Sequence, residues 1–232
     1  MITLNQLIYD LRNILRGGAL VSDDDPISDR QLEFWINNTR ATLIRQQLDK
    51  GQTLSDNITQ TIDCFDVELV DTSLNTNLAS GCYIVKSKNP IPTPVEVSDR
   101  DLLLKVSAPE IGSIPYSVYP EAAMPYSDYN PFGKKVIKAY LRQGYIIIKN
   151  VPSNLTKVSV SLVATDPTEV GQYNNCSGTP CFTRDSRYPI NAHMVELLKR
   201  MIIETNFKSL QVPISDNVNN AAFDPQQPNQ NR

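Results

Sequence analysis

With 232 residues, 41% hydrophobic and 20% charged, the chain is long enough to bury a core in one or two domains and too apolar for wholesale disorder. A net charge of -3 and a pI near 5.2 withhold the overall basic footprint of a nucleic-acid binder, although one face can differ from the total. No apolar run approaches the roughly 18 residues of a membrane span, and the N-terminus lacks the regions of a signal peptide, so an intracellular site of synthesis is expected.

The first fifty residues predict two helices. Thr3 and Gln6 have capping-box spacing, and Leu4, Leu7, Ile8, Leu11, Ile14 and Leu15 share one helical face before Gly17 and Gly18 stop the helix. After the Ser22-Asp23-Asp24-Asp25-Pro26 loop, Ser28 and Gln31 repeat the cap. Leu32, Trp35, Ile36, Thr39, Leu43 and Ile44 then carry an apolar stripe towards Gly51. The hairpin is built to pack and bears no chemistry.

Beyond it the period turns from helical to alternating. Cys64 to Val70, Cys82 to Val85, Leu102 to Val106, Ala139 to Leu141, Tyr145 to Lys149 and Lys157 to Val163 read as strands, with a hairpin turn at Arg142-Gln143-Gly144. The linkers are rich in proline and tyrosine, notably Asn89 to Pro94 and Ile114 to Phe132. Proline keeps them extended and out of a central strand. They are either ordinary loops or, because tyrosine gives large contact area at little entropic cost, a protein interface centred on Tyr116, Tyr119, Tyr126 and Phe132.

A third helix is predicted after Tyr188-Pro189, with Met194, Val195, Leu197, Leu198, Met201, Ile202 and Phe207 on its apolar face. From Ser215 to Arg232 few apolar residues remain, so disorder in isolation is expected of a tail that is idle or folds on a partner. The expected class is therefore α+β: a three-helix body with an inserted antiparallel β-rich domain and a disordered C-terminal tail. Its parts are a helical hairpin (1–55), a β-rich insertion (56–188), the C-terminal helix (189–212) and the tail (213–232).

Candidate chemistry is sparse. His193 is the one histidine, which excludes a His-Glu-x-x-His zinc motif and leaves a triad dependent on a helix residue. Phosphate-cradling glycine loops are missing. The run Asp23 to Asp25 lacks the alternating ligands and closing glutamate of an EF-hand, and its natural reading is a solvated loop. Of Cys64, Cys82, Cys176 and Cys181, only Cys176 and Cys181 are close in sequence, two zinc ligands without partners. Free thiols are the simpler reading, and a Cys176 to Cys181 disulfide stays open. Asn-x-Ser/Thr sites at Asn37, Asn57, Asn154 and Asn175 are expected by chance in an asparagine-rich chain. Neither an enzymatic function nor a cofactor or metal is therefore expected.

The order Ser28-Asp29-Arg30-Gln31, Phe34-Trp35-Ile36-Asn37-Asn38-Thr39-Arg40-Ala41 and Leu43-Ile44-Arg45-Gln46 resembles structural proteins of the crAss-like tailed phages of Bacteroidales. Gly81 to Val85, Lys88 to Pro92, Ile114-Pro115-Tyr116 and Tyr188-Pro189-Ile190 continue the likeness to about Leu210. The resemblance implies a head-to-tail connector of a short-tailed virion, an adaptor or ring protein under the portal. It implies a homo-oligomeric ring of about twelve copies, closed by a heterologous contact. The expected partners are the portal and other neck and tail proteins, with genomic DNA sliding through the channel without sequence-specific binding and no membrane involved. The expected location is the virion neck or tail, with assembly in the host cytoplasm. Two other classes compete: an adhesin or fibre-docking module of the same virion, and a hydrolase using His193 and a thiol.

Overall fold

A computed structural model describes residues 2–15, 27–70, 84–98, 100–110, 112–129, 136–151 and 154–207. Helix α1 (Leu4–Leu15) begins at a reciprocal capping box, in which the Gln6 amide donates to Thr3 Oγ1 at 3.2 Å and the Thr3 amide to Gln6 Oε1 at 3.0 Å. Helix α2 (Asp29–Asp49) begins where the Gln31 amide donates to Ser28 Oγ at 3.2 Å. It ends in a Schellman turn: Gly51 adopts φ +74°, and the amides of Gly51 and Gln52 donate to the carbonyls of Leu48 and Gln47. The stripe Leu32, Trp35, Ile36, Thr39, Leu43 and Ile44 is buried throughout, whereas Ile14 at the end of α1 is exposed. Gly17, Gly18, the Asp23 to Asp25 loop, Cys82 and the tail lie outside the described residues.

The strands are β1 (Gln60–Leu69), β2 (Ile84–Ser87), β3 (Glu96–Val97), β4 (Arg100–Asp101), β5 (Leu103–Ser107), β6 (Ser117–Val118), β7 (Lys138–Arg142), β8 (Tyr145–Lys149) and β9 (Lys157–Leu162). Seven of them make one sheet in the order β5-β9-β1-β2-β8-β7-β6, antiparallel except between β6 and β7. Register is fixed by alternation, since Ile62, Val67, Val85, Ile146, Ile148, Val158, Val160 and Leu162 all point into the core. The β7–β8 hairpin turns on Gln143 and Gly144, both at positive φ (52° and 80°), the pairing a two-residue type I′ turn requires. The two sheet edges then meet. The Tyr116 amide, one residue before β6, donates to the Val106 carbonyl of β5 at 2.7 Å, so the sheet is a nearly closed barrel.

This overturns the expected three-helix body with an inserted β domain: the described chain is mostly β with short helices. Helix α3 (Val195–Ile202) holds α geometry for eight residues before widening into a π turn at Ile203–Phe207, too short to organise a body of its own. One buried cluster runs from Leu4 and Leu7 through Ile36 and Ile44 to Val85, Val160 and Leu198, so helices and barrel share a core.

Polar contacts fasten the helices to the barrel. Arg40, fully buried on α2, donates Nε to the Pro189 carbonyl at 2.6 Å, Nη1 to Ala164 at 2.7 Å and Nη2 to Ile58 at 3.2 Å. Its guanidinium also lies over the Tyr188 ring at 5.8 Å. The Tyr188 hydroxyl donates to Asn37 Oδ1 at 2.7 Å, and Asn37 Nδ2 donates to Asp166 Oδ1 at 2.8 Å. Desolvation lowers the Arg40 pKa and raises that of the Tyr188 phenol.

Candidate functional site

The residues proposed for chemistry are dispersed. His193 is exposed in the turn before α3, where Gln47 Nε2 meets its Nε2 at 3.0 Å, and no contact joins it to a thiol among the described residues. Cys176 pairs with Cys64 across 112 residues, which settles the open question about Cys181. The Cys181 thiol is partly buried, and burial pushes its pKa up. An open cleft of about 590 Å³ between α1 and α3 is floored by Ile2, Tyr188 and Val195. Its carboxylates are already engaged: Lys199 Nζ donates to Asp10 Oδ2 at 3.0 Å and to Glu196 Oε1 at 3.4 Å. Burial pulls the Lys199 ammonium down, but the two carboxylates outweigh it and hold its pKa above the ordinary value. No cluster of three His, Cys, Asp or Glu fit for a metal occurs among the described residues. No helix among them is long and apolar enough to cross a membrane.

The tyrosine-rich connection from β5 to β7 is where the surface becomes unusual. Its strand β6 pairs with β7, and the Tyr119 amide donates to the Ala139 carbonyl at 2.9 Å. The chain then makes two 3-10 turns, Glu121–Ala123 and Tyr126–Asp128, across the outer face of β7. Three contacts fasten this strap. Met124 is 3% exposed, Lys138 Nζ donates to the Ser127 carbonyl at 2.8 Å, and Arg142 Nε donates to Glu121 Oε1 at 3.2 Å. Lys138 and Tyr140, which point outward from β7, are buried beneath it, and burial raises the Tyr140 phenol against the opposing effect of Arg142.

The expected contact residues divide. Tyr116 and Tyr119 are half-buried, Tyr116 packing on the core, where desolvation raises its phenol. Tyr126 is 74% exposed at the tip of the strap, and Phe132 lies outside the described residues. Tyr129 and Ile114, at 82% and 85%, are more exposed still and absent from the expected set. The 3-10 spacing would have found Tyr129, because residues three apart on such a turn project the same way as Tyr126 does. On α2, Phe34 is exposed between Arg30 and Asn38, one turn to either side, an outer stripe that the apolar-periodicity reading passed over.

A nearly closed barrel, a helical layer sharing its core, and a fastened strap with apolar tips make up the described molecule, the architecture of a structural building block. The family model of phage tail ring protein 2 matches residues 6–230, and the chain belongs to this family of crAss-like phage tail ring proteins. A comparison with curated proteins finds no match. The chain is therefore a structural protein of a bacteriophage tail ring, part of an assembly with other tail proteins.

Proposed function

We propose that the ring sits at the head-to-tail junction, stacked beneath the portal and extending the channel through which genomic DNA leaves the head. The barrel and the helices on the shared core form the rigid wall. The observation that carries the reading is the strap: three large apolar side chains, Ile114, Tyr126 and Tyr129, are held out from the barrel with little cover of their own. Tyr126 and Phe132 serve the contact between copies directly, and Tyr116 and Tyr119 support it from below. A heterologous contact of this kind closes into a ring, of about twelve copies where it follows a portal. The net charge of -3 suits a wall past which DNA slides without being gripped. Electron microscopy of the virion with a tag on this chain tests the position. Density in the first ring below the portal is expected; density at the distal end of the tail overturns the connector reading.

A further inference from the structure

We infer that the strap of one copy docks on the outer stripe of α2 in the next copy, with Tyr126, Tyr129 and Ile114 set around Phe34. The inference deepens the ring reading and rests on the strap being a contact between copies. Phe34 is 65% exposed on a helix whose other faces are largely buried, and its helical neighbours along the exposed line are Arg30 and Asn38, with Arg45 two turns beyond Asn38. Among the described residues, a large aromatic in that place stays mostly uncovered. The two patches are also complementary in charge. Exposed Glu110 and Glu121 flank the strap tips, Glu121 being shared with Arg142, whereas exposed Arg30 lies one turn from Phe34 and the carboxylates nearest it, Asp29 and Glu33, are taken up by Arg12 and Arg184.

The patches lie on separate elements, α2 and the β5–β7 connection, and no hydrogen bond or ion pair joins them among the described residues. Each copy therefore offers one donor and one acceptor surface, the arrangement that propagates from subunit to subunit and closes as a ring. The strap is fastened before contact, so little ordering is required on docking. The contact area is modest. Large side chains bury on the order of 150–250 Å² each, so three give about 500 Å², below the roughly 800 Å² per partner of a standard interface. The contact should be weak between free copies and firm once a ring or template raises the effective concentration to the millimolar range.

The test uses two full-length variants, Phe34→Glu and the pair Tyr126→Ser with Tyr129→Ser, with Phe34→Ser as a milder acceptor change. Circular dichroism confirms folding, and sedimentation velocity follows self-association from micromolar to millimolar chain. Wild type should associate at the upper end, and each variant alone should weaken self-association at least tenfold. Mixed one to one, the intact strap of the Phe34→Glu chain should dock on the intact α2 of the other. A species of twice the 26.0 kDa chain mass should form that does not grow further. If the strap variant loses association and the Phe34 variants keep it, the α2 acceptor is overturned while the strap reading stands. If both variants associate as wild type does, both readings fall. If the mixture stays monomeric, or wild type is monomeric even at millimolar concentration, the pairing of these two patches is overturned.

Discussion

Replacing Arg40 by methionine isolates the polar fastening between α2 and the barrel, because methionine retains much of the buried aliphatic stem and removes only the guanidinium. Three hydrogen bonds, at 2.6, 2.7 and 3.2 Å, are lost from carbonyls of Pro189, Ala164 and Ile58. Bonds to a charged group are worth about 1.5–3 kcal/mol each, a gross loss of roughly 5–9 kcal/mol. Against this stands the cost of keeping a cation in the core, several kcal/mol, which the substitution relieves. The orphaned carbonyls decide the balance, and a net loss of about 2–4 kcal/mol is expected. Urea denaturation by fluorescence of Trp35 reads it as a lower midpoint at unchanged slope, and a thermal scan as a fall on the order of 10 °C for a chain of this size. Equal or greater stability in the variant would show that the buried charge is a net burden and that the fastening is made elsewhere.

The exposed tyrosines should separate assembly from stability: Tyr126→Ser with Tyr129→Ser should leave the urea midpoint within about 0.5 kcal/mol of wild type, whereas Tyr116→Ser, half-buried beside the barrel closure, should cost about 1–3 kcal/mol. Cys64→Ser opens a cross-link spanning 112 residues and should cost about 2–4 kcal/mol, and peptide mapping without reductant should join Cys64 to Cys176 and leave Cys181 free to alkylate. The Tyr188 phenol has its pKa raised in the fold, chiefly by desolvation, so its stabilising contribution is whole below the unfolded value of about 10 and is lost as pH rises through the higher folded value. Tyr188→Phe should flatten the loss of stability above pH 10 in an alkaline titration followed by circular dichroism.

What was legible in the sequence was local. The Thr3 and Ser28 caps, the Gly51 stop, the α2 stripe and the Gln143-Gly144 turn depend on residues a few positions apart, and the structure holds each in place. Barrel closure was not legible. Ser117 and Val118 lie between Pro115 and Pro120 in what reads as an extended linker, and their strand character comes from β7, twenty residues on. The disulfide was missed for the same reason, since spacing favours Cys176 with Cys181 and only the fold brings Cys64 alongside. Arg40 and Asn37 look like breaks in an apolar stripe until the carbonyls and the Tyr188 hydroxyl around them are known. Within the candidate interface, the tyrosine-rich segment was visible, but which tyrosines face out depends on how the strap lies over Lys138 and Tyr140.

Closing the barrel also limits how a ring can be built from this chain. An open sheet offers two rows of unpaired amides and carbonyls, and copies of it can join edge to edge by adding strands. Here the edge strands β5 and β6 approach one another, and the Tyr116 to Val106 bond ties the seam. Strand β6 is two residues long, flanked by proline, and is covered on its β7 side. Backbone pairing between copies therefore has little to work with, and affinity has to come from side chains presented beyond the barrel wall. The connection into β7 presents such side chains: it is fastened at Met124, Ser127 and Glu121, and its aromatic tips stand clear. The same closure that removes an aggregation-prone edge thus favours the proposed contact through the strap, and changing its exposed tips is expected to leave the fold intact.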